Sequence, residues 1–164
     1  RKTDQLIVDV LDAGSNSNNV VHGSAGLTLA KALTVYEAFG EGDVPDDGQR
    51  YFVVSPAGWA DLLQIDQFSR AEYIGEKELP YAGGMTAKRW LGFLWFSFSG
   101  LSISSTTRDC HAWHRSSVGL AMGSDIRTEV NYIPEKVSNL ITSYMSMGAV
   151  MIDNEGAIEC QITE

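Results

Sequence analysis

Basic residues are scarce in this chain: its 164 residues carry 12 Lys and Arg against 21 Asp and Glu, a formal charge of −9. Phosphates repel that balance, and basic patches supply most non-specific affinity for nucleic acid, so the charge argues against tight non-specific binding to DNA or RNA. It does not exclude a protein that merely surrounds DNA. Long apolar runs are also missing. The most apolar stretch, Trp90 to Phe98, is half the roughly 18 residues that a membrane-spanning helix requires, so no membrane partner is expected. Cysteine is limited to Cys110 and Cys160, which match no CxxC or zinc-ribbon spacing and suit a reducing compartment with free thiols. There is no G-x-G-x-x-G, no G-x-x-x-x-G-K-[ST], no G-x-S-x-G elbow and no H-E-x-x-H, which removes the motif grounds for nucleotide binding, hydrolase and metalloprotease readings. A charged-then-apolar signal segment is absent too. The chain opens on Arg1 and reads as the folded body of a longer product.

What is present is globular: 44% hydrophobic, 10% aromatic and 20% charged residues, enough for one domain with a real core. Leu6, Val10 and Leu11 share one side of a short amphipathic helix over Asp4 to Asp12 that stops at Gly14. A polar run, Ser15 to Asn19, follows as an exposed loop. Thr28 caps a second helix from Leu29, whose expected buried stripe is Leu29, Leu33, Tyr36 and Phe39, with Lys31, Thr34 and Glu37 outside, and Gly40 and Gly42 at its end. Tyr51 to Val54 reads as a buried strand; Ser55 then caps a third helix with Pro56 at its first position and Trp59, Leu62 and Leu63 inward. Residues 75–88 form a long loop marked by Gly75, Pro80, Gly83 and Gly84. Leu94, Phe96 and Phe98 alternate with Trp95, Ser97 and Ser99, the period of a strand with one strongly apolar face. After a polar linker from Ser102 to Arg108, Val118 to Met122 and Ile126 to Tyr132 read as two strands. Lys136 to Met147 fits helix or strand equally. Val150 to Ile152, the turn Asp153 to Gly156 and Ile158 to Ile162 read as a closing hairpin. Helices early and strands late give an α+β class.

The most reactive-looking cluster is Cys110-His111-Ala112-Trp113-His114, because thiolate and imidazole bind metals and two His at i, i+3 share a helix face. The spacing matches no zinc pattern and no second ligand pair exists, so packing is the leading reading and an enzyme using Cys110, His111 and His114 a distant one. Asp43, Asp46, Asp47, Glu76 and Glu78 crowd into loops, where they serve solvation. Trp90, Phe93, Trp95, Phe96 and Phe98 form core or subunit interface rather than a base-stacking platform, since only Lys88 and Arg89 supply cations beside them. No catalytic residue, metal or cofactor is expected.

The ordered series Gly26-Leu27-Thr28-Leu29, Arg50 to Pro56, Phe68-Ser69-Arg70-Ala71-Glu72-Tyr73, the Trp90-Leu91-Gly92-Phe93 strand, Ala112 to Ala121 and Met147-Gly148-Ala149-Val150 with its Asp153 to Gly156 turn resembles the major capsid proteins of tailed bacteriophages. These have the Hong Kong 97-type fold. The resemblance covers nearly the whole chain and rests on packing residues and glycines. It implies mixed antiparallel sheets, a spine helix at about 28–40 within a peripheral domain 1–50, an axial domain 51–132, and a return to the peripheral domain with the closing hairpin at 133–164. It implies an N-terminal arm and an extended loop that this chain lacks. It further implies self-assembly into pentamers and hexamers of an icosahedral shell around double-stranded DNA, a scaffolding protein and maturation protease as partners, assembly in the host cytoplasm and residence in the virion. The 75–88 loop becomes a candidate subunit contact. A bacterial nanocompartment shell is the alternative. On the expected stripe, Leu33→Ala should cost about 2–5 kcal/mol in thermal or chemical melting.

Overall fold

The computed structural model describes residues 2–14, 19–69 and 87–164. The elements run α1 (Lys2–Ala13), β1 (Asn19–Val20), α2 (Leu29–Glu41), β2 (Arg50–Val54), α3 (Pro56–Gln64), α4 (Asp66–Ser69), β3 (Ala87–Trp90), β4 (Phe93–Ser97), β5 (Ile103–Ser104), β6 (Thr107–His114), β7 (Val118–Ile133), β8 (Ser138–Met151) and β9 (Ala157–Thr163). Both expected caps form. The Thr28 side chain accepts from the Lys31 amide and Ser55 from the Gly58 amide at 3.0 Å, satisfying donors that the first helical turn leaves free. Gly14 closes α1 as expected by donating to the Val10 carbonyl.

Six strands lie in the order β1-β9-β6-β2-β4-β3, with β5 beside β6. The β1/β9 and β2/β4 pairs are parallel and the others antiparallel. One face of this sheet holds Phe52, Phe93, Trp95, Cys110, Ala112, Ile158 and Cys160, all buried under α2 and α3. Aromatic packing fixes the fit: Phe52 stacks on Trp95 at 4.0 Å between centroids, and Phe39 of α2 meets Phe93 edge-on at 5.1 Å. The other face carries Val53, Phe96, His111 and Trp113 under α1.

Lys31 knits this body together. The three N–H groups of its buried ammonium are shared among four carbonyls, those of His22, Ala25, Gly26 and Gln161, 2.7 to 3.1 Å from Nζ, tying α2 to the segment before it and to β9. Burial pushes its pKa below the ordinary lysine value, while the carbonyl oxygens stabilise the charge it retains. Arg50 works similarly, donating to the carbonyls of Val44 and Pro45 with its guanidinium over the rings of Phe39 and Phe93.

Several expectations need correction. The buried face of α2 is Lys31, Ala32, Val35 and Phe39, whereas Leu33 and Tyr36 are 45% and 41% exposed. A lysine counted as outward lies inward because four carbonyls await it, and the helix turns with it. In α1 the buried residues are Val8 and Leu11. Strand β4 buries Phe93 and Trp95 more deeply than Leu94 and Phe96, the opposite phase to that expected, because both of its faces are covered and the α2 side is the tighter. Trp90 to Phe93 is a turn rather than a strand: Leu91 and Gly92 both have positive φ, as a two-residue hairpin joining β3 to β4 demands. The linker at 102–108 contains the β5/β6 hairpin.

The two strands expected between Val118 and Tyr132 are one continuous strand, and Lys136 to Met147 belongs mostly to its partner β8. The closing hairpin does not form: β8 pairs with β7, and β9 inserts between β1 and β6. By packing, residues 19–69, 87–117 and 152–164 make one body and 118–151 a separate ribbon. Gly75, Pro80, Gly83 and Gly84 lie outside the described residues.

The packing therefore revises the mutational expectation. Phe39→Ala should lose about 3–5 kcal/mol, while Leu33→Ala should stay within about 0.5 kcal/mol. Urea unfolding of the two variants checks the order.

Candidate assembly surface

Strands β7 and β8 form a two-stranded antiparallel ribbon, closed by a 3-10 turn at Pro134–Lys136 and by Val137 in the left-handed region. At 16 residues β7 spans about 50 Å. Its register shifts between Met122 and Ser124 and again between Ser124 and Arg127, so two extra residues on β7 kink the ladder.

The pairing sorts side chains onto two faces. Val118/Met151, Leu120/Ala149, Met122/Met147, Val130/Ile141 and Tyr132/Asn139 oppose one another on one face, and Met145 continues the β8 row. Four of the chain's five methionines occur on this ribbon, all on that face. The reverse face is more polar, with Ser124/Ser146, Arg127/Tyr144 and Glu129/Thr142. The apolar face is poorly covered: Met122, Val130 and Ile141 are 68%, 63% and 67% exposed. A two-stranded hairpin is marginal in water by itself, and apolar exposure on this scale marks a surface built to be covered.

Helix α1 meets the base of the ribbon. A side chain at Gly14 would strike the Met151 methyl, and a groove of about 660 Å³ is lined by Lys2 and Leu6 of α1 and by Ile126, Met145 and Met147 of the ribbon. On the body side, α1 is tied at both ends. Gln5 donates to the Gly100 carbonyl at 3.0 Å, and Asp12 receives His111 Nε2 at 2.6 Å and the Ser102 hydroxyl. Burial raises the Asp12 carboxyl, but those two bonds outweigh it and hold the pKa below the ordinary value.

The Cys110/His111/His114 cluster is not a site. These residues lie on a strand, where i, i+3 positions face opposite ways. His111 turns to Asp12 under α1; His114 turns to the core face, where Asp47 Oδ1 lies 3.1 Å from Nε2. The Ser116 amide donates to His114 Nδ1, so Nε2 carries the proton given to Asp47. Chiefly the Gln49 amide, and then His114, hold the Asp47 carboxyl low. Cys110 and Cys160 oppose each other on β6 and β9 as free, buried thiols; burial pushes both upward, Cys160 to about 12. Such thiols are poor nucleophiles. Among the described residues no group of three or more His, Cys, Asp or Glu is placed to hold a metal, and no helix is long and apolar enough to cross a membrane.

Of the expected helix residues, Phe39 and partly Leu29 face the core, while Leu33 and Tyr36 face outward. The sequence marks the ribbon as strands but not as an exposed surface, since its apolar residues look like those of any half-buried strand. The signal that marks it is their alternation running on through Tyr132 with no element left over to cover it.

The chain is similar to a structure of Mycobacterium phage Che8 (19% identity, TM-score 0.73, 97% of this chain and 57% of that one). It is also similar to the capsid of Cyanophage P-SCSP1u (16%, 0.72, 99% and 62%) and to the SrpI encapsulin of Synechococcus elongatus (9%, 0.60, 94% and 56%). The chain thus spans less than two thirds of the length of each. No protein of curated function matches the sequence. The phage capsid protein family matches over residues 1–164, and the chain belongs to that family.

Thiol titration checks the buried pair: Cys110 and Cys160 should stay silent toward an aromatic disulfide reagent in the folded chain, and both should react in denaturant.

Proposed function

We propose that this chain is the folded part of a major capsid subunit of a tailed bacteriophage or prophage, which assembles as pentamers and hexamers into an icosahedral shell around double-stranded DNA. The observation that carries this reading is the β7/β8 ribbon, about 50 Å long, with its apolar face turned to solvent. Covering that face with neighbouring subunits removes the apolar exposure that a lone chain suffers. In this reading the seven-stranded body serves as the axial domain, and the ribbon with α1 serves as the peripheral domain. A scaffolding protein and a maturation protease act during assembly in the host cytoplasm, and the finished subunit resides in the virion. The second reading, a nanocompartment shell, is favoured by the likeness to an encapsulin chain.

Electron microscopy of the full-length product separates the two. Shells with DNA-sized interiors support the first reading, small shells filled with protein cargo support the second, and the absence of any assembly sinks both. Ile141→Asp, on an exposed position of the ribbon's apolar face, should leave the melting temperature within about 2 °C of wild type and abolish shells. Normal shells from this variant would remove the ribbon from the interface.

The charge of −9 supports a wall that encloses DNA without gripping it. Emptied shells should therefore retain little added DNA at any ionic strength. Strong, salt-sensitive retention would overturn that part of the proposal.

A further inference from the structure

Helix α1 is the described element that touches both the ribbon and the face of the body opposite α2. Its last turn is held to the body through Asp12, which meets His111 and Ser102. The imidazole is fully buried, with Nε2 2.6 Å from Asp12 Oδ1 and with Nδ1 buried and without a partner among the described residues. Among the described residues, the titratable groups facing it are Asp12 from α1, Asp109 from β6 and Glu159 from β9, which sits directly opposite His111 in the register. Strand β2 presents Val53 there, and the segment before β6 presents Ser102, which bonds Asp12. One oxygen of Asp109 is likewise buried without a partner. One buried base thus stands among three carboxyl groups, at the joint between a helix and a sheet.

We propose that Asp12 and His111 form an acid-sensitive latch that fixes α1, and with it the base of the ribbon, to the body. While Asp12 is ionised it accepts from the imidazole and from Ser102, and α1 stays seated. As the pH falls, Asp109 loses its charge first, since burial and then Glu159 push its carboxyl up. Asp12 loses its charge last, because its bonds hold it below the ordinary 3.8. The sign follows: a depressed carboxyl stabilises the docked state above its ordinary pKa, and that contribution is lost as the pH drops through the folded value. At that point the buried imidazole has lost the anion it was paired with, while its Nδ1 has no partner among the described residues. Lifting α1 exposes it to water. The opposite face of the sheet carries its own pair, His114 on Asp47, but that pair lies at the end of β6 beside the half-exposed Asp47, and α2 and α3 are held there by apolar side chains, so the body outlasts the docking.

Hydrogen exchange of the full chain as free subunits, corrected for intrinsic rates, tests this. Between about pH 7 and pH 3, protection of α1 should fall at least about ten-fold relative to β2. Asp12→Asn should loosen α1 at neutral pH and flatten the profile. His111→Leu, which removes the donor to Asp12, should likewise loosen α1 at neutral pH relative to β2. The proposal is overturned if α1 and β2 of the wild type lose protection together at every pH, or if Asp12→Asn leaves the protection profile of α1 unchanged.

Discussion

Strand β6 is paired along both edges, by β9 on one side and by β2 and β5 on the other, so its backbone has no donors left to give. Everything else it does must be done by side chains alternating between two very different surroundings. Cys110 and Ala112 meet the apolar underside of α2 and α3, while Asp109, His111 and Trp113 meet α1. The fold depends on keeping that alternation in phase, because a slip of one residue would drive Asp109 and His111 into the apolar core and leave Cys110 and Ala112 facing Asp12.

The two halves of the molecule satisfy their apolar surface by different means. The body does it internally: helices α2 and α3 close one face of the sheet, and the charges that end up inside, Lys31, Arg50 and Lys88, donate to backbone carbonyls, with Asp46 as an added partner of Arg50 at 3.9 Å. Those bonds tie loops to helix and sheet at once. The ribbon has no such roof. It is stabilised by its ladder, by α1 at its base and by whatever covers its apolar face, and membership of a capsid family supplies a reason for leaving that face bare in one chain.

How much of this could be read beforehand depended on whether the signal was local. Thr28, Ser55 and Pro56 marked helix starts correctly because capping involves only the next three residues. The strand Tyr51 to Val54 was legible because it is short, β-branched and buried on both faces. The face of α2 was not, since Leu33 and Tyr36 are larger and more apolar than Ala32 and Val35, and the carbonyls that draw Lys31 inward come from residues as distant as Gln161. The partner of β8 was likewise a matter of topology: Asp153 to Gly156 has the composition of a hairpin turn, yet it leads the chain from one sheet into another. The ribbon was legible as strands but not as a surface, because exposure is a property of what is missing above it. His111 and His114 suggested a shared site only under a helical period that the strand does not have.

The two register shifts in the ribbon have a further consequence. An extended pair of strands with free outer edges invites the next copy to add its own strand, and then the next, in a sheet that grows without end. The extra residues near Gly123 and Ile126 bend the β7 edge out of line, and Asp125, Arg127 and Glu129 place charge along the same stretch. A neighbour arriving edge-on meets a broken template lined with charge, while one arriving face-on meets a mostly apolar surface interrupted by Thr128 and Ser143. The kink thereby steers growth away from a fibre, whose ends stay open, and toward the kind of contact from which a closed surface can be made.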